Sequence, residues 1–293
     1  MQLPVFNIVK SALCTCLPKF NINPYLGRCA HGCVYCYAVK FPSFRGSTIP
    51  RLKMKNEIIQ MVEKTKSRWP VMLSDSTDPY QPLEKEYEIT RKCLEVLTEK
   101  EFPILIVTKS DLVTRDIDLF RKTRTVVSMS ITTLREETAK TIEPHAPPPN
   151  SRFNSLKQIA DEGIPTVVRI DPIIPLVNWD IDELEKIMCR SADIGVNQVT
   201  ASTMKLVKGV FESLKNENPT LFIALQNCYS DGEWISGYKY LNRAKRFKIL
   251  SELKSIANKY ELKFATCREG FQQLNNNVCD GSAYCRMLID KFA

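Results

Sequence analysis

From residue 50 to about 216, short apolar runs alternate with stretches in which apolar residues recur at helical spacing. The runs "VMLS" (71–74), "ILIVT" (104–108), "TVVSMSI" (125–131), "TVVRI" (166–170) and "QVT" (198–200) read as strands. Between them, Met54, Ile58, Met61 and Val62 mark one helical face. Ile89, Cys93, Val96 and Leu97 mark a second, and Leu184, Ile187 and Met188 a third. The strands are continuously apolar rather than alternating, which means burial on both faces and hence a parallel sheet. With the segment that feeds a cysteine-rich loop near residue 29 as a first strand, the pattern makes about six βα units.

Such a sheet can be doubly wound or barrel-like. No Gly-rich dinucleotide fingerprint follows the first strand, which argues against a nucleotide-binding open sheet. In a βα barrel the working residues sit at the C-terminal ends of the strands. Polar residues collect there: Asp75 to Asp78, Thr108 to Ser110, Ser130, Asp171 and Thr200 to Thr203. The stretch "EPHAPPPN" (143–150) holds four prolines and is not helical, and Asn150 is expected to cap a helix over 151–162. Beyond about residue 220 the pattern loosens to one clear helix (Ile249, Leu250, Leu253, Ile256, Ala257), then "LKFATC" and a cysteine-bearing tail. The expected division is an N-terminal segment 1–20, a barrel core 21–220 and a C-terminal extension 221–293 packed on it.

Composition narrows the class. At 293 residues, 44% hydrophobic and 25% charged, the chain is an ordinary globular protein. No apolar run approaches the roughly 18 residues of a membrane span. The opening "MQLPVFNIVK" lacks the basic-then-apolar layout of a secretion signal, so the expected location is cytoplasmic. A net charge of +8, from 41 basic and 33 acidic residues, suits an anionic partner such as nucleic acid, although many small-molecule enzymes carry as much. The dense basic stretch "NRAKRFK" (242–248) opens a helix, and a solvated helix face is the plain alternative to a binding patch.

Eleven cysteines need an explanation in a reducing compartment, where structural disulfides are disfavoured and an odd count cannot pair fully. Cys93, Cys189 and Cys228 stand alone and read as buried, inert thiols. The other eight cluster at the two ends of the chain, and with only His31 and His145 present, metal ligands there would be thiolates. In "NPYLGRCAHGCVYCYA" (23–38), Cys29, Cys33 and Cys36 follow a Cys-x3-Cys-x2-Cys pattern. Tetrahedral zinc usually takes four closed ligands, often as two pairs. Three thiolates suit a four-iron cluster with one iron left open. His31, inside the loop, reads as a local hydrogen-bonding residue. A second group comprises Cys267, Cys279 and Cys285 in "CREGFQQLNNNVCDGSAYC", with Cys14 and Cys16 in "LCTC". It could hold an auxiliary iron–sulfur cluster or a zinc ion, or remain as free thiols.

The cysteine spacing, its place after the first strand and the aromatic Tyr35 before the last cysteine resemble the signature of the radical S-adenosylmethionine (SAM) superfamily. A narrower resemblance covers most of residues 20 to 202. "STDPYQPLE" (76–84), "TKSDLVTRDIDLF" (108–120), "VSMSITTL" (127–134), "IEPHAPPP" and "GIPTVVRIDPIIPLVN" (163–178) look like the spore photoproduct lyase-like branch, also called DNA repair photolyase-like. The resemblance implies an α/β fold, a partial (β/α)6 TIM-like barrel. It implies a [4Fe-4S] cluster on Cys29, Cys33 and Cys36, whose open iron binds SAM and whose electron splits it to a 5′-deoxyadenosyl radical. By motif it places Thr77, Lys109, Ser130 and Arg169 around SAM. Tyr35 and Tyr37 match tyrosines proposed to relay a hydrogen atom in spore photoproduct lyase, and packing is an equal reading for both. An electron donor such as a flavodoxin or ferredoxin is also implied.

In that lyase a cysteine two residues before the pocket serine or threonine returns a hydrogen atom to product. The matching residue here is Asp75, which cannot do so, because its O–H bond is too strong and at neutral pH the proton is normally gone. The expectation is therefore a radical SAM enzyme other than spore photoproduct lyase, with Asp75 bonding a polar substrate or stabilising a turn. The substrate is expected to be a nucleic acid base in DNA or RNA, to be repaired or modified, with a peptide or small metabolite as the alternative. A metal-bearing nucleic-acid-binding module without catalysis is the rival of another class.

Overall fold

The apolar runs pair side by side in one direction in the computed structural model of the protein, which describes residues 1–6, 13–217 and 219–286. Six strands follow the sequence reading closely: β1 (Phe20–Ile22), β2 (Val71–Leu73), β3 (Ile104–Thr108), β4 (Thr125–Ser130), β5 (Thr166–Ile173) and β6 (Gln198–Thr203). A seventh, β7 (Lys263–Thr266), comes from "LKFATC" and pairs in parallel with β6. The spatial order is the chain order from β1 to β7, and every pairing in this sheet is parallel. The result is an open, partial TIM-like barrel of seven strands among the described residues, one more than the six units that the periodicity marks. The C-terminal region thus contributes a strand to the sheet besides packing on it. Of the stretches assigned to the two ends, residues 7–12 and 287–293 lie outside the described residues.

Each strand is buried on both sides, and the two sides have different neighbours. One set, including Leu73, Ile104, Ile106, Val127, Met129, Val168 and Val199, packs under the helices. Those helices are α1 (Met54–Lys64), α2 (Ile89–Glu99), α3 (Pro149–Asp161) and α4 (Ile181–Asp193). Two more, α5 (Lys208–Glu217) and α6 (Pro219–Cys228), precede α7 (Arg243–Lys259). The apolar positions read from helical spacing face this layer: Ile58, Cys93, Leu184, Met188, Leu250 and Leu253 are all buried in it. Each fully buried aliphatic side chain of this kind contributes roughly 1.5–3 kcal/mol.

The other set faces the barrel interior, and it is layered. At the base, Met72, Leu105, Val126 and Val167 surround Cys285. Above them, Ser130, Arg169 and Thr200 stand abreast in register on β4, β5 and β6. The tail runs through this interior. Gly281 takes φ +77°, and a Cβ there would stand 2.8 Å from Val167 Cγ2 and 3.3 Å from Val126 Cγ2, so the strand walls leave room for glycine alone. A second apolar cluster lies over the C-terminal ends of the strands. It joins Tyr35, Ile174 and Met204 to Val210 of α5, Leu225 of α6 and Tyr238 and Tyr240 of a two-stranded hairpin.

Two local expectations differ from the structure. The proline-flanked helix α3 begins at Pro149, where the missing N–H and preset φ cost nothing, and Asn150 lies inside its first turn without capping it. The Asn150 amide donates to Glu136 Oε1 (3.2 Å), and its carbonyl accepts from Arg190 Nη1 (2.7 Å). In the basic stretch 242–248, Asn242 does cap α7, accepting the Ala244 N–H at 2.8 Å. Arg246 there is fully buried and pairs with Glu269 (2.9 Å) and Glu233 (2.5 Å), so this arginine belongs to the core and not to a solvated face. Cys93 is buried as expected, whereas Cys189 and Cys228 are only half-buried.

Candidate active site

The strand ends and the cysteine loop enclose one cavity of ≈ 290 Å³. Cys29, Cys33 and Cys36 line it from a loop without regular structure that is tied down at several points. Ala30 N–H donates to Gln81 Oε1 (3.0 Å), and Val34 N–H donates to the Ile142 carbonyl (3.0 Å). His145 N–H donates to the His31 carbonyl (3.2 Å). Gly27 turns the chain into the loop with φ +75°; a Cβ there would sit 2.1 Å from the Ser47 carbonyl oxygen. His31 is a local anchor, as read from the sequence. Its Nδ1 is 3.2 Å from the His145 carbonyl and its Nε2 is 3.1 Å from Asp78 Oδ2.

Asp78 organises the next two strand ends. Its carboxylate accepts from Thr108 Oγ1 (2.7 Å), Lys109 N–H (2.7 Å) and Tyr80 N–H (2.8 Å). Burial opposes its ionisation, but the His31 imidazole and these donors hold the carboxyl below the usual range. Thr77, beside it, has a buried Oγ1 without a hydrogen-bond partner among the described residues, and it lines the cavity. A buried hydroxyl in that state, on a residue that lines a cavity, is one that a ligand could satisfy.

Lys109 also lines the cavity, with Nζ 5.6 Å from the Tyr35 ring centre. Burial works against its charge, while the Cys33 thiol and the Glu143 carboxylate beside it hold the ammonium above its ordinary range. Burial also raises the loop thiols, Cys29 to about 12 and Cys33 to about 11, so ligation of a metal would displace their protons. Ser130 reaches the cavity at the end of β4, and its carbonyl accepts from Arg152 Nη1 (3.0 Å). Arg169 is committed elsewhere: Nη2 pairs with Asp171 Oδ2 (2.6 Å) and Nη1 donates to the Cys279 carbonyl (3.2 Å).

The two tyrosines differ. Tyr35 is buried, and its hydroxyl is bonded to Glu143, which pairs with Arg152 (2.5 Å) and accepts from Thr132 Oγ1 (3.1 Å). Its ring still borders the cavity. Tyr37 is half-buried against Phe41 and Tyr238, with its hydroxyl 3.5 Å from the Asp75 carbonyl. Asp75 faces the same space and accepts from Asn21 Nδ2 (3.2 Å).

The tail thiols divide. Cys14, Cys16, Cys267 and Cys279 all border this cavity, whereas Cys285 is fully buried at the barrel base with Sγ 3.2 Å from the Ile104 carbonyl. The grouping of Cys285 with the other tail cysteines is thus not what the fold produces, because the tail carries it from the mouth to the base. Also brought to the cavity, and not singled out from the sequence, are Arg28, Arg268 and Lys205. Lys205 pairs with Glu269 (2.9 Å). Their signal in sequence was weak, since each is one basic residue among 41.

The chain belongs to the radical SAM superfamily, whose family model matches residues 23–186. An uncharacterized protein of Acidianus two-tailed virus is 39% identical over 191 residues, covering 58% of this chain and 62% of that protein. A radical SAM Nα-GlyT isomerase of Pseudomonas phage M6 is 24% identical over 181 residues, covering 60% of this chain and 38% of that one. The match therefore spans less than two thirds of these relatives' own length. Among solved structures, a mutant spore photoproduct lyase with bound AdoMet and dinucleoside spore photoproduct has the same fold. It gives a TM-score of 0.68 at 13% identity, covering 90% of this chain and 80% of that one.

Proposed function

We propose that the protein is a radical SAM enzyme acting on a nucleic acid base, with its cluster on Cys29, Cys33 and Cys36. The carrying observation is that the three loop thiols, Thr77, Lys109 and Ser130 all line one cavity at the strand ends. The residues fit the two cofactors. Three free thiols on a pinned loop match a cluster with one open iron. Lys109 offers a cation to a carboxylate, and Thr77 and Ser130 offer hydroxyls beside it. Arg169, already paired with Asp171, would border SAM and need not hold it.

Bound there, the cluster and SAM supply reductive cleavage of the sulfonium and a 5′-deoxyadenosyl radical. This chain's residues then do the rest. The apolar cluster that contains Tyr35 and Met204 would supply a dry side to the cavity. Asp75 and Tyr37 present a carboxylate and a hydroxyl to a polar substrate. Glu143 holds Tyr35 and, through Arg152, the end of β4, which fixes the position of Ser130. A flavodoxin or ferredoxin is the proposed electron donor, and the proposed setting is the cytoplasm.

A base is favoured over a peptide by two things together: the basic residues Arg28, Lys205 and Arg268 bordering the cavity, and a fold nearer to that of a lyase bound to dinucleoside spore photoproduct (TM-score 0.68) than to that of a peptide-bound enzyme (TM-score 0.58). Asp75 in the place of a hydrogen-donating cysteine excludes spore photoproduct lyase activity itself from the proposal. Cys228 packs against the apolar cluster, outside the cavity lining. The test is anaerobic incubation with SAM, a reductant and, separately, single-stranded DNA, duplex DNA, tRNA and a peptide mixture. Only nucleic acid should raise the yield of 5′-deoxyadenosine. Stimulation by peptide alone, or clean repair of the spore photoproduct dinucleotide, would count against this reading.

A further inference from the structure

Cys14, Cys16, Cys267 and Cys279 come from opposite ends of the chain and meet at one wall of the cavity. Their side chains are consecutive neighbours: Cys16 interacts with both Cys14 and Cys279, and Cys279 with Cys267. All four are free thiols. Lys19, three residues after Cys16, pairs with Asp280, the residue after Cys279, at 2.5 Å. Arg169 bonds the Cys279 carbonyl, as does Thr200 Oγ1 at 2.8 Å. Cys16 and Cys279 are therefore flanked by a buried ion pair, the Cys279 carbonyl is fixed to the barrel wall, and the Cys267 N–H donates to the Ala201 carbonyl (3.1 Å). No disulfide joins these four thiols, although they come together from opposite ends of the chain.

We infer that Cys14, Cys16, Cys267 and Cys279 ligate a second, fully coordinated four-iron cluster facing the same cavity as the three-cysteine loop. No three His, Cys, Asp or Glu side chains among the described residues already stand at closed metal-coordinating geometry, and this holds for Cys29, Cys33 and Cys36 as well. Convergence is what the two thiol groups share. Iron–sulfur ligation is preferred to zinc because the Cys14-x-Cys16 and Cys267-x11-Cys279 spacings are not the C-x2–4-C pairs typical of structural zinc. Lys19 and Arg169 lie beside the net negative charge that four thiolates would place on such a cluster. With four thiolates it has no open iron, so it does not bind SAM. It stands as a redox-active wall of the substrate cavity.

The test uses the whole chain, reconstituted anaerobically with iron and sulfide. The intact protein should hold about eight irons, two four-iron clusters' worth. The variant Cys29→Ala/Cys33→Ala/Cys36→Ala should keep about half, and its reduced electron paramagnetic resonance spectrum should not change when SAM is added. The variant Cys14→Ala/Cys16→Ala/Cys267→Ala/Cys279→Ala should also hold about half, but with a spectrum that does respond to SAM. Cys285→Ala should match the intact protein. Loss of all iron from the loop variant, bound zinc in place of the second set of irons, or halved iron in Cys285→Ala would each overturn the inference. The inference rests on the proposed function only for the loop's own four irons. Failure of that reading would show in the SAM response, with the second set of irons intact.

Discussion

Lys19 and Asp280 meet at 2.5 Å across 261 residues of sequence, one just before the first strand and the other beyond the last. The edge strands β1 and β7 do not pair with each other, and this contact ties the residue before β1 to the tail inside the open barrel, where the Asp280 carbonyl also accepts from Ser128 Oγ of β4 (3.4 Å). Both side chains are almost fully buried, at 1% and 7% exposure. Lys19 also lies 4.3 Å from the centre of the Phe6 ring.

Breaking that pair should weaken the fold more than a surface ion pair would. Asp280→Ala leaves a buried ammonium without its partner, which costs roughly 3–5 kcal/mol. Denaturant unfolding should show the midpoint falling with the slope unchanged. The double variant Lys19→Met/Asp280→Leu should recover much of the loss. An Asp280→Ala protein as stable as the parent would show that the tail is held without this pair.

Glu143 gives a pH dependence with a defined sign. Burial opposes its ionisation, but Arg152 and Lys109 hold its carboxyl below the ordinary range. Its contribution is therefore complete above the unfolded carboxylate pKa of about 4.3 and is lost as pH falls through the folded value. Glu143→Gln should destabilise the protein by roughly 3–5 kcal/mol at neutral pH, because Arg152 is left buried and unpaired. The gap from the parent should narrow on acidification. A gap independent of pH would contradict this role.

The tail's passage through the barrel rests on Gly281. Gly281→Ala must move Val167 or abandon φ +77°, and overpacking of this kind costs roughly 1–3 kcal/mol. Thermal unfolding should register the loss, and second-site Val167→Ala should partly restore stability by opening the contact. A neutral Gly281→Ala would mean that the tail does not thread the interior as described.

Thr77→Val separates binding from stability. It keeps the shape and removes a hydroxyl that has no hydrogen-bond partner among the described residues, so stability should be unchanged or slightly higher. SAM affinity of the reconstituted protein should fall about tenfold, the equivalent of one hydrogen bond of about 1.4 kcal/mol. Equal affinity in both proteins would remove Thr77 from the cofactor site.

Much of this was legible in the sequence, and the gaps have physical causes. Five apolar runs and the helical faces led directly to strands and helices, because a doubly buried parallel sheet leaves continuous hydrophobic stretches. The strand over Lys263–Thr266 was missed because a run of four residues without an adjacent repeat looks like part of a loosened extension. The loop cysteines were readable from local spacing. The meeting of Cys16 with Cys279 was not, since it depends on the path of the tail through the barrel interior. Cys285 lies six residues after Cys279, yet those residues descend the barrel interior and separate the two thiols. The buried state of Arg246 was hidden likewise, because its partners Glu233 and Glu269 lie on other segments.

The central claim is that Cys29, Cys33 and Cys36 hold the cluster that cleaves SAM in this cavity. The most direct measurement is chromatographic quantitation of 5′-deoxyadenosine after anaerobic incubation of reconstituted protein with SAM and dithionite. The intact protein should form it, and Cys29→Ala, Cys33→Ala and Cys36→Ala should each form none, because two thiolates cannot hold a cluster with a single open iron. Formation of 5′-deoxyadenosine by any of the three variants, or its absence from the iron-loaded intact protein, would contradict the account.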